Sequence, residues 1–282
     1  MSAKLLEGKV LAAGIKESIK KEIESFKRRP KLVALQIGEN AASAVYIKSQ
    51  KRRAEEVGIE YELRTLPAGS TQGECESEIQ KINDDASVNA IILQLPVPQG
   101  IDHRKLIVAI DPVKDAEGMH PENLGQVVLG QWRIAPCTAS ACLALIESAG
   151  EKLYGKEAVI VGHSEIVGKP ISLMLLSKFA TVSVCHIATG ERGLIPDHVK
   201  RAEVLVVAVG KAGLIKGEWV KEGAIVIDVG INRIEGKIVG DIEFEAASRK
   251  ASYITPVPGG VGPLTAAMLM KNTLEAYKMQ LR

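Results

Sequence analysis

The 282 residues exceed one typical core and suit two domains of ordinary size. Composition is that of a globular chain, 46% hydrophobic and 25% charged, and with only 4% aromatic residues the stacking surfaces that single-stranded nucleic acid needs are scarce. The 36 basic and 34 acidic residues form no like-charge block and no apolar run reaches membrane-spanning length, so no nucleic acid, binding tail or membrane is expected as a partner.

Short apolar, β-branched runs alternate with charged stretches of 3.6-residue period. That is the pattern of βαβ units over a mostly parallel sheet, hence an α/β fold. The opening MSAKLLEGKV carries charges where a signal peptide would need an apolar core. A helix is predicted over 10–28, then a strand over 31–37 (KLVALQI), a helix over 42–57, a strand over 60–66, a helix over 72–84 and a strand over 89–95 (NAIILQL). Segment 96–137 is rich in Pro, Gly and Asp and reads as functional loops lining a cleft. A helix over 139–149 follows, then a strand over 157–161, a helix over 167–178, strands over 181–186, 203–209 and 223–229, and a last helix over 263–279. The break between halves lies near 137–155, and the last helix is able to return to the first half. The domains are therefore drawn as 1–138 with 266–282, and 139–265. Cys75, Cys137, Cys142 and Cys185 have neither C-x-x-C spacing nor a histidine at zinc-site distance. Neither a disulfide framework nor a metal is indicated, and a reducing cytoplasm fits.

Strand 157–161 runs into Gly162-His163-Ser164-Glu165-Ile166-Val167-Gly168 and then a helix. Glycines stand where backbone must approach a pyrophosphate, and free N–H groups at a positive helix end favour phosphate. The spacing departs from G-x-G-x-x-G, so a ligand-free βα turn is the plain alternative. The end of the next strand, Val184-Cys185-His186-Ile187-Ala188-Thr189, lacks the carboxylate that binds ribose hydroxyls. That absence admits a 2′-phosphate, assisted by His163 or His186, and favours NADP over NAD; the other reading of each histidine is a neutral turn residue bonded to backbone.

Near the C-terminus Thr255-Pro256-Val257-Pro258-Gly259-Gly260-Val261-Gly262-Pro263-Leu264-Thr265 combines glycines that allow close backbone approach with prolines that stiffen the loop, directly before a helix. With this run, the Tyr-containing helix ASAVYIKSQKRRAEEVGI, LQLPVP, KDAEG, PCT, the G-x-S-x-x-x-G-x-P turn and IDVGINR followed by VGD, the chain resembles the methylenetetrahydrofolate dehydrogenase/methenyltetrahydrofolate cyclohydrolase family over essentially its whole length.

The resemblance implies an N-terminal folate-binding α/β domain and a Rossmann-type cofactor domain, folate in the cleft between them, and a cytoplasmic homodimer formed mainly through the Rossmann domains. It implies one-carbon folate metabolism: oxidation of 5,10-methylenetetrahydrofolate by NADP, or NAD in some members, usually followed by hydrolysis of the methenyl product to 10-formyltetrahydrofolate. Carried over residue by residue, Tyr46, Gln50, Gln94 and Glu117 are the catalytic positions. Tyr46, Gln94, Leu95, Pro96, Glu117, Pro258, Gly259 and Gly262 bind folate. Gly162, His163, Ser164, Ile166, Val167, Gly168, His186, Gly210, Ile231 and Thr265 bind the dinucleotide.

Two positions depart from the family pattern. Four residues after Tyr46, on the same helical face, the family carries a lysine that moves protons during hydrolysis; here the residue is Gln50. Gln94 matches the glutamine that orients that lysine, so the two amides are expected to bond to each other or to water. Glu117 stands where the family has an aspartate facing the pterin. Hydride transfer mainly needs positioning, whereas water attack needs a proton-exchanging group, so oxidation is expected to survive better than hydrolysis. Lys48 and Lys51 turn away from Tyr46; Arg53 returns to its face but is too basic to shuttle protons, and is read as a solvated charge. Full bifunctionality and a non-catalytic folate- or nucleotide-binding role remain the rival readings.

Overall fold

The computed structural model describes residues 2–281; Met1 and Arg282, the outer ends of the sequence-drawn domains, lie outside the described residues. The chain opens with β1 (Lys4–Leu5), α1 (Gly8–Glu24), β2 (Lys31–Ile37), α2 (Ala41–Val57), β3 (Glu60–Leu66), α3 (Gln72–Asp84) and β4 (Ala90–Leu93). It continues with α4 (His103–Ala109), α5 (Pro121–Val128), α6 (Cys137–Ser148), β5 (Glu157–Val161), α7 (Gly168–Leu176), β6 (Thr181–Cys185), α8 (Ile187–Glu191) and α9 (Ile195–Arg201). It ends with β7 (Val204–Val207), β8 (Ile225–Asp228), β9 (Asn232–Ile234), β10 (Lys237–Val239), α10 (Phe244–Ser248), β11 (Tyr253–Ile254) and α11 (Val261–Gln280).

These elements form two compact units: residues 13–126, 131–135 and 266–282 make one, and residues 1–12, 127–130 and 136–265 make the other. The first holds a parallel three-stranded sheet of order β3-β2-β4. β2 is central and buried along nearly its whole length, so it reads as one continuous apolar run; Val33, Leu35, Ile79, Ile91 and Leu106 form the core between sheet and helices. The second unit holds a parallel six-stranded sheet of order β1-β11-β8-β7-β5-β6. Its core is built from Val159, Val161, Leu205, Val207 and Val226 with helix residues such as Val199. From β5 the chain moves outward to β6, then crosses back to β7 on the other side of β5. Such a reversal of strand order leaves an opening at the carboxyl ends of β5 and β7, where dinucleotides lie in open α/β sheets. The residues before α1 join this sheet because β1 pairs in parallel with β11.

The α/β class and the run of βαβ units agree with the sequence reading. One expectation needs correction: segment 96–137 is not all loop, since it contains α4 and α5. Its prolines, glycines and aspartates flank these helices, Asp102 capping α4 through a 3.0 Å bond from the Arg104 N–H. Pro263, expected as a first helical residue, falls at the third position of α11, within the turn whose N–H groups have no helical partner. Among the described residues no helix is long and apolar enough to cross a membrane.

Candidate functional site

In the unit carrying β2, the four-residue spacing on α2 puts Tyr46 and Gln50 on one face. The Tyr46 side is open, the residue being 66% exposed, while Gln50 is half-buried over the sheet. Gln94, the residue after β4 and itself buried, donates from Nε2 to Gln50 Oε1 at 3.1 Å, and the Tyr61 hydroxyl on β3 donates to the same oxygen at 3.1 Å. The direct amide pair is thus the one of the two sequence alternatives that forms. Burial holds the Tyr61 phenol above its ordinary value, so it remains a donor at any working pH. Arg53 Nε donates to Ser49 Oγ on its own helix at 3.2 Å. Leu95 through Ile101, with His103, line a cavity of about 580 Å³; Leu95–Pro96 is a cis peptide, and the Leu95 carbonyl accepts from Ser43 Oγ at 3.2 Å.

KDAEG supplies the second element of this unit. Lys114 is buried and donates from Nζ to the carbonyls of Ile82, Asn83 and Asp85, at 3.3, 2.6 and 3.0 Å, closing the C-terminal end of α3; its pKa is lowered by burial. Asp115 bridges Ile91 of β4 in parallel, which carries Glu117 toward the same carboxyl end of the sheet as Gln94. The Asp115 carboxylate then folds the loop around itself. Oδ1 accepts from the N–H groups of Glu117 and Gly118 at 3.2 and 3.0 Å, and Oδ2 from the His120 N–H and Asn123 Nδ2 at 2.7 and 3.0 Å. Asn272 on α11 fixes the other side by donating to the carbonyls of Ala116 and Ala135, both at 2.9 Å. Burial, followed by the adjacent Asp115 charge, pushes the Glu117 carboxyl up to about 8. At neutral pH Glu117 is therefore chiefly a neutral acid, able to donate as well as accept.

In the other unit, Gly162 leaves β5 at φ +122°, and a Cβ there would lie 2.3 Å from the Ala208 carbonyl oxygen; a Cβ on Gly168 would lie 2.1 Å from the Gly162 oxygen. Only glycines allow this close approach of strand, turn and helix. The Ser164 hydroxyl accepts from the Val167 N–H at 3.1 Å and the Gly168 N–H at 3.5 Å, and its carbonyl accepts from the Lys169 N–H at 3.0 Å. The N–H groups of Val167, Gly168 and Lys169 at the start of α7 are thus bonded to Ser164, which closes the first turn. His163 and His186 stand edge to face, ring centroids 5.4 Å apart, beyond β5 and β6. Ile166 and Ile231 are exposed, at 49% and 63%, and Gly210 adopts φ +64° beyond β7. The structure so gathers the expected dinucleotide residues, Thr265 apart, at the carboxyl ends of β5, β6, β7 and β8. Thr265 lies in the first turns of α11, bonded to the Val261 carbonyl at 3.3 Å.

The 255–265 run is built into the same unit. Thr255 is fully buried, Val257–Pro258 is a cis peptide, Gly259 takes φ +115°, and the Gly8 N–H donates to the Gly259 carbonyl at 3.1 Å. Pro258 and Gly262 are exposed.

Sequence reasoning missed four residues that hold these positions: Tyr61, Asp115, Asp228 and Asp241. Asp115 carried a signal, since a buried aspartate before a glycine turn commonly bonds backbone N–H groups two residues on. Tyr61 carried none, because only strand register brings it to Gln50.

A nucleotide-type α/β sheet with glycine-bound loops at its carboxyl edge, and a second α/β unit with polar groups at the ends of its own strands, define a two-domain NAD(P)-binding protein. Residues 6–117 match the catalytic domain, and residues 136–281 the NAD(P)-binding domain, of tetrahydrofolate dehydrogenase/cyclohydrolase, and the chain belongs to that family. It is 49% identical to the bifunctional protein FolD of Acetivibrio thermocellus over 99% of both chains. Among solved structures it is similar to the bifunctional FolD methylenetetrahydrofolate dehydrogenase/cyclohydrolase of Campylobacter jejuni, with 43% identity, 99% of each chain covered and a TM-score of 0.94. It is also similar to the Trypanosoma brucei enzyme complexed with NADP cofactor and an inhibitor, with 36% identity, 100% and 99% of the chains covered, and a TM-score of 0.93.

Proposed function

We propose that this chain oxidises 5,10-methylenetetrahydrofolate to the 5,10-methenyl form with NADP, or NAD, as hydride acceptor, in one-carbon folate metabolism, and that its hydrolysis of the methenyl product is weakened. The observation that carries the second half is the Gln50 carbonyl held by Gln94 and Tyr61. At the position where the resemblance places a proton-moving lysine, there stands a neutral amide whose acceptor oxygen is already engaged. Water attack on the methenyl carbon needs proton exchange near working pH, which this group does not provide. Hydride transfer needs the donor carbon held against the nicotinamide, which is work for rigid loops.

The unit of residues 13–126, 131–135 and 266–282 takes the folate, through Tyr46, Gln94, Leu95, Pro96 and Glu117, and the unit of residues 1–12, 127–130 and 136–265 takes the dinucleotide. The cofactor supplies hydride acceptance; Gly162, Gly168 and Gly210 let backbone approach its phosphates, Ile166 and Ile231 offer apolar contact, and His163 and His186 stand where a 2′-phosphate would be read. The close packing of Gly162 on the Ala208 carbonyl and of Gly168 on the Gly162 carbonyl fits such a site, because it holds strand, turn and helix in the tight arrangement on which a pyrophosphate is bound. Four buried free cysteines suit a reducing cytoplasm. A homodimer through the cofactor unit is supported by an exposed apolar cluster there: Tyr154 and Phe179 stack at 5.6 Å, and Phe179 and Leu176 are 71% and 57% exposed.

Purified protein given methylenetetrahydrofolate and NADP should generate methenyl absorbance, and silence with both nicotinamide cofactors would overturn the assignment. One observation favours a second reading, full bifunctionality: Glu117, with its pKa near 8, meets the requirement for proton exchange that Gln50 does not. Hydrolysis of supplied methenyltetrahydrofolate without nucleotide separates the two readings.

A further inference from the structure

β7 and β8 end side by side, and the chain leaves them in two loops that carry Gly210 and Ile231. Both loops close on a pair of buried aspartates. Asp241, fully buried, accepts at Oδ2 from the Val209 and Gly210 N–H groups, at 2.8 and 2.9 Å, and at Oδ1 from Asn232 Nδ2 at 2.9 Å. Asp228, 4% exposed, accepts at Oδ1 from the Gly230 and Asp241 N–H groups, at 2.9 and 3.0 Å, and at Oδ2 from the Ile242 N–H at 2.9 Å. The Asp228 N–H donates to Thr255 Oγ1 at 2.8 Å, so the start of the proline-glycine loop is tied to the same point.

The clasp is closed around its carboxylates. A Cβ on Gly230 would lie 2.3 Å from Asp241 Cγ, and one on Gly240 would lie 2.0 Å from Asp228 Oδ2. Burial, opposed by its backbone hydrogen bonds and reinforced by the Asp241 charge, pushes the Asp228 carboxyl up to about 6. Holding two acids this deep is a cost to folding that an apolar pair of similar volume would avoid. What the acids supply, and an apolar pair would not, is acceptors for backbone N–H groups of loops that have left the sheet.

We propose that Asp241 is a positioning residue for the dinucleotide: it sets the 209–210 backbone and, through Asn232, the base of the hairpin that follows Ile231, so that both loops meet the cofactor already formed. This rests on the reading that Gly210 and Ile231 face the cofactor. Asp241 acts through these loops rather than on the ligand, and its effect falls chiefly on the cofactor.

The test is Asp241→Ala, Asp241→Asn and Asn232→Ala, with KM measured separately for NADP and methylenetetrahydrofolate and the NADP Kd measured by calorimetry. Asp241→Ala should raise the NADP KM and Kd by about tenfold or more, since two loop N–H groups lose a charged acceptor. The folate KM should change by much less, about twofold, because Asp241 reaches the proline-glycine loop only indirectly, through Asp228 and Thr255. Asp241→Asn, which keeps an acceptor oxygen, should recover most of the loss. Asn232→Ala, which removes one of the three bonds to the Asp241 carboxylate and a longer bond to the Val239 carbonyl, should show a smaller rise in the same direction, and decides the question if Asp241→Ala does not fold. Equal rises in both KM values, or an unchanged NADP Kd in the folded variants, would overturn the proposal. Should the wild-type chain bind NADP without oxidising the folate, the proposed function fails, and the Kd series still judges Asp241.

Discussion

Gln94 donates to the Gln50 carbonyl at 3.1 Å, and Tyr61 reaches the same oxygen from β3 at 3.1 Å. Three elements therefore converge on one neutral acceptor. The amide is fixed from both sides, which makes it a good spacer and a poor proton carrier, since neither its N–H nor its carbonyl titrates in water's range. A lysine there would face the Gln94 carbonyl oxygen after an amide flip and the Tyr61 oxygen as acceptor, so the surroundings already suit an ammonium.

Gln50→Lys should raise hydrolysis of supplied methenyltetrahydrofolate by about a hundredfold, the lower range of general acid–base catalysis, while the oxidation rate changes far less. Both activities are to be measured on one preparation. Equal changes, or none, would mean that position 50 does not control hydrolysis.

The fold was largely legible because parallel strands buried on both faces leave unmistakable apolar runs: Ala158–Val161, Val204–Val207 and Ile225–Ile227 are such runs. The β9–β10 hairpin was not, since its residues are mostly exposed and its signal lies in the turn, Glu235 and Gly236 at φ +50° and +80°. β1 and β11 are two residues each and exist only because they pair with each other and with β8. At the candidate site, the spacing of Tyr46 and Gln50 could be read from one helix. Asp115 left a signal in its place before a glycine turn, whereas Tyr61 and Asp241 left none, because only strand register and the course of the loops bring them to their partners.

Gly162→Ala should unfold the turn. Its φ of +122° and the 2.3 Å approach to Ala208 combine strain with a clash against backbone that has no freedom to move. A loss of about 2–5 kcal/mol is expected, with NADP binding lost. Gly150→Ala is the control: φ is +75° and nothing lies within 4 Å, so only the left-handed penalty of about 1–2 kcal/mol applies. Thermal melts of both variants check the difference, and comparable losses would remove the close-packing explanation.

Asp115→Ala leaves four donors without their carboxylate: three loop N–H groups and the Asn123 amide. A cost of about 3 kcal/mol or more follows from such unpaired groups. Because the loop carries Glu117, the folate KM should rise more than the NADP KM. Urea denaturation and paired KM measurements test this, and a variant with wild-type stability would show that water replaces the carboxylate at no loss.

Glu117 gives the chain a stability term that acts at neutral pH. Its carboxyl is pushed from 4.5 to about 8 by burial and then by Asp115, so between those values the folded state holds a proton that the unfolded state has released. Its contribution is fully present below pH 4.5 and is lost as pH rises through 8, at a slope of at most about 1.4 kcal/mol per pH unit. Glu117→Gln removes this slope and leaves the other titrating groups, Asp228 included, as they were. Denaturation at pH 5.5, 7 and 8.5 should therefore show the variant gaining on the wild type with each step upward. A gap that stays constant across the three would mean that Glu117 is already ionised in the folded chain, and with it the second reading, in which Glu117 exchanges protons near working pH, would fall.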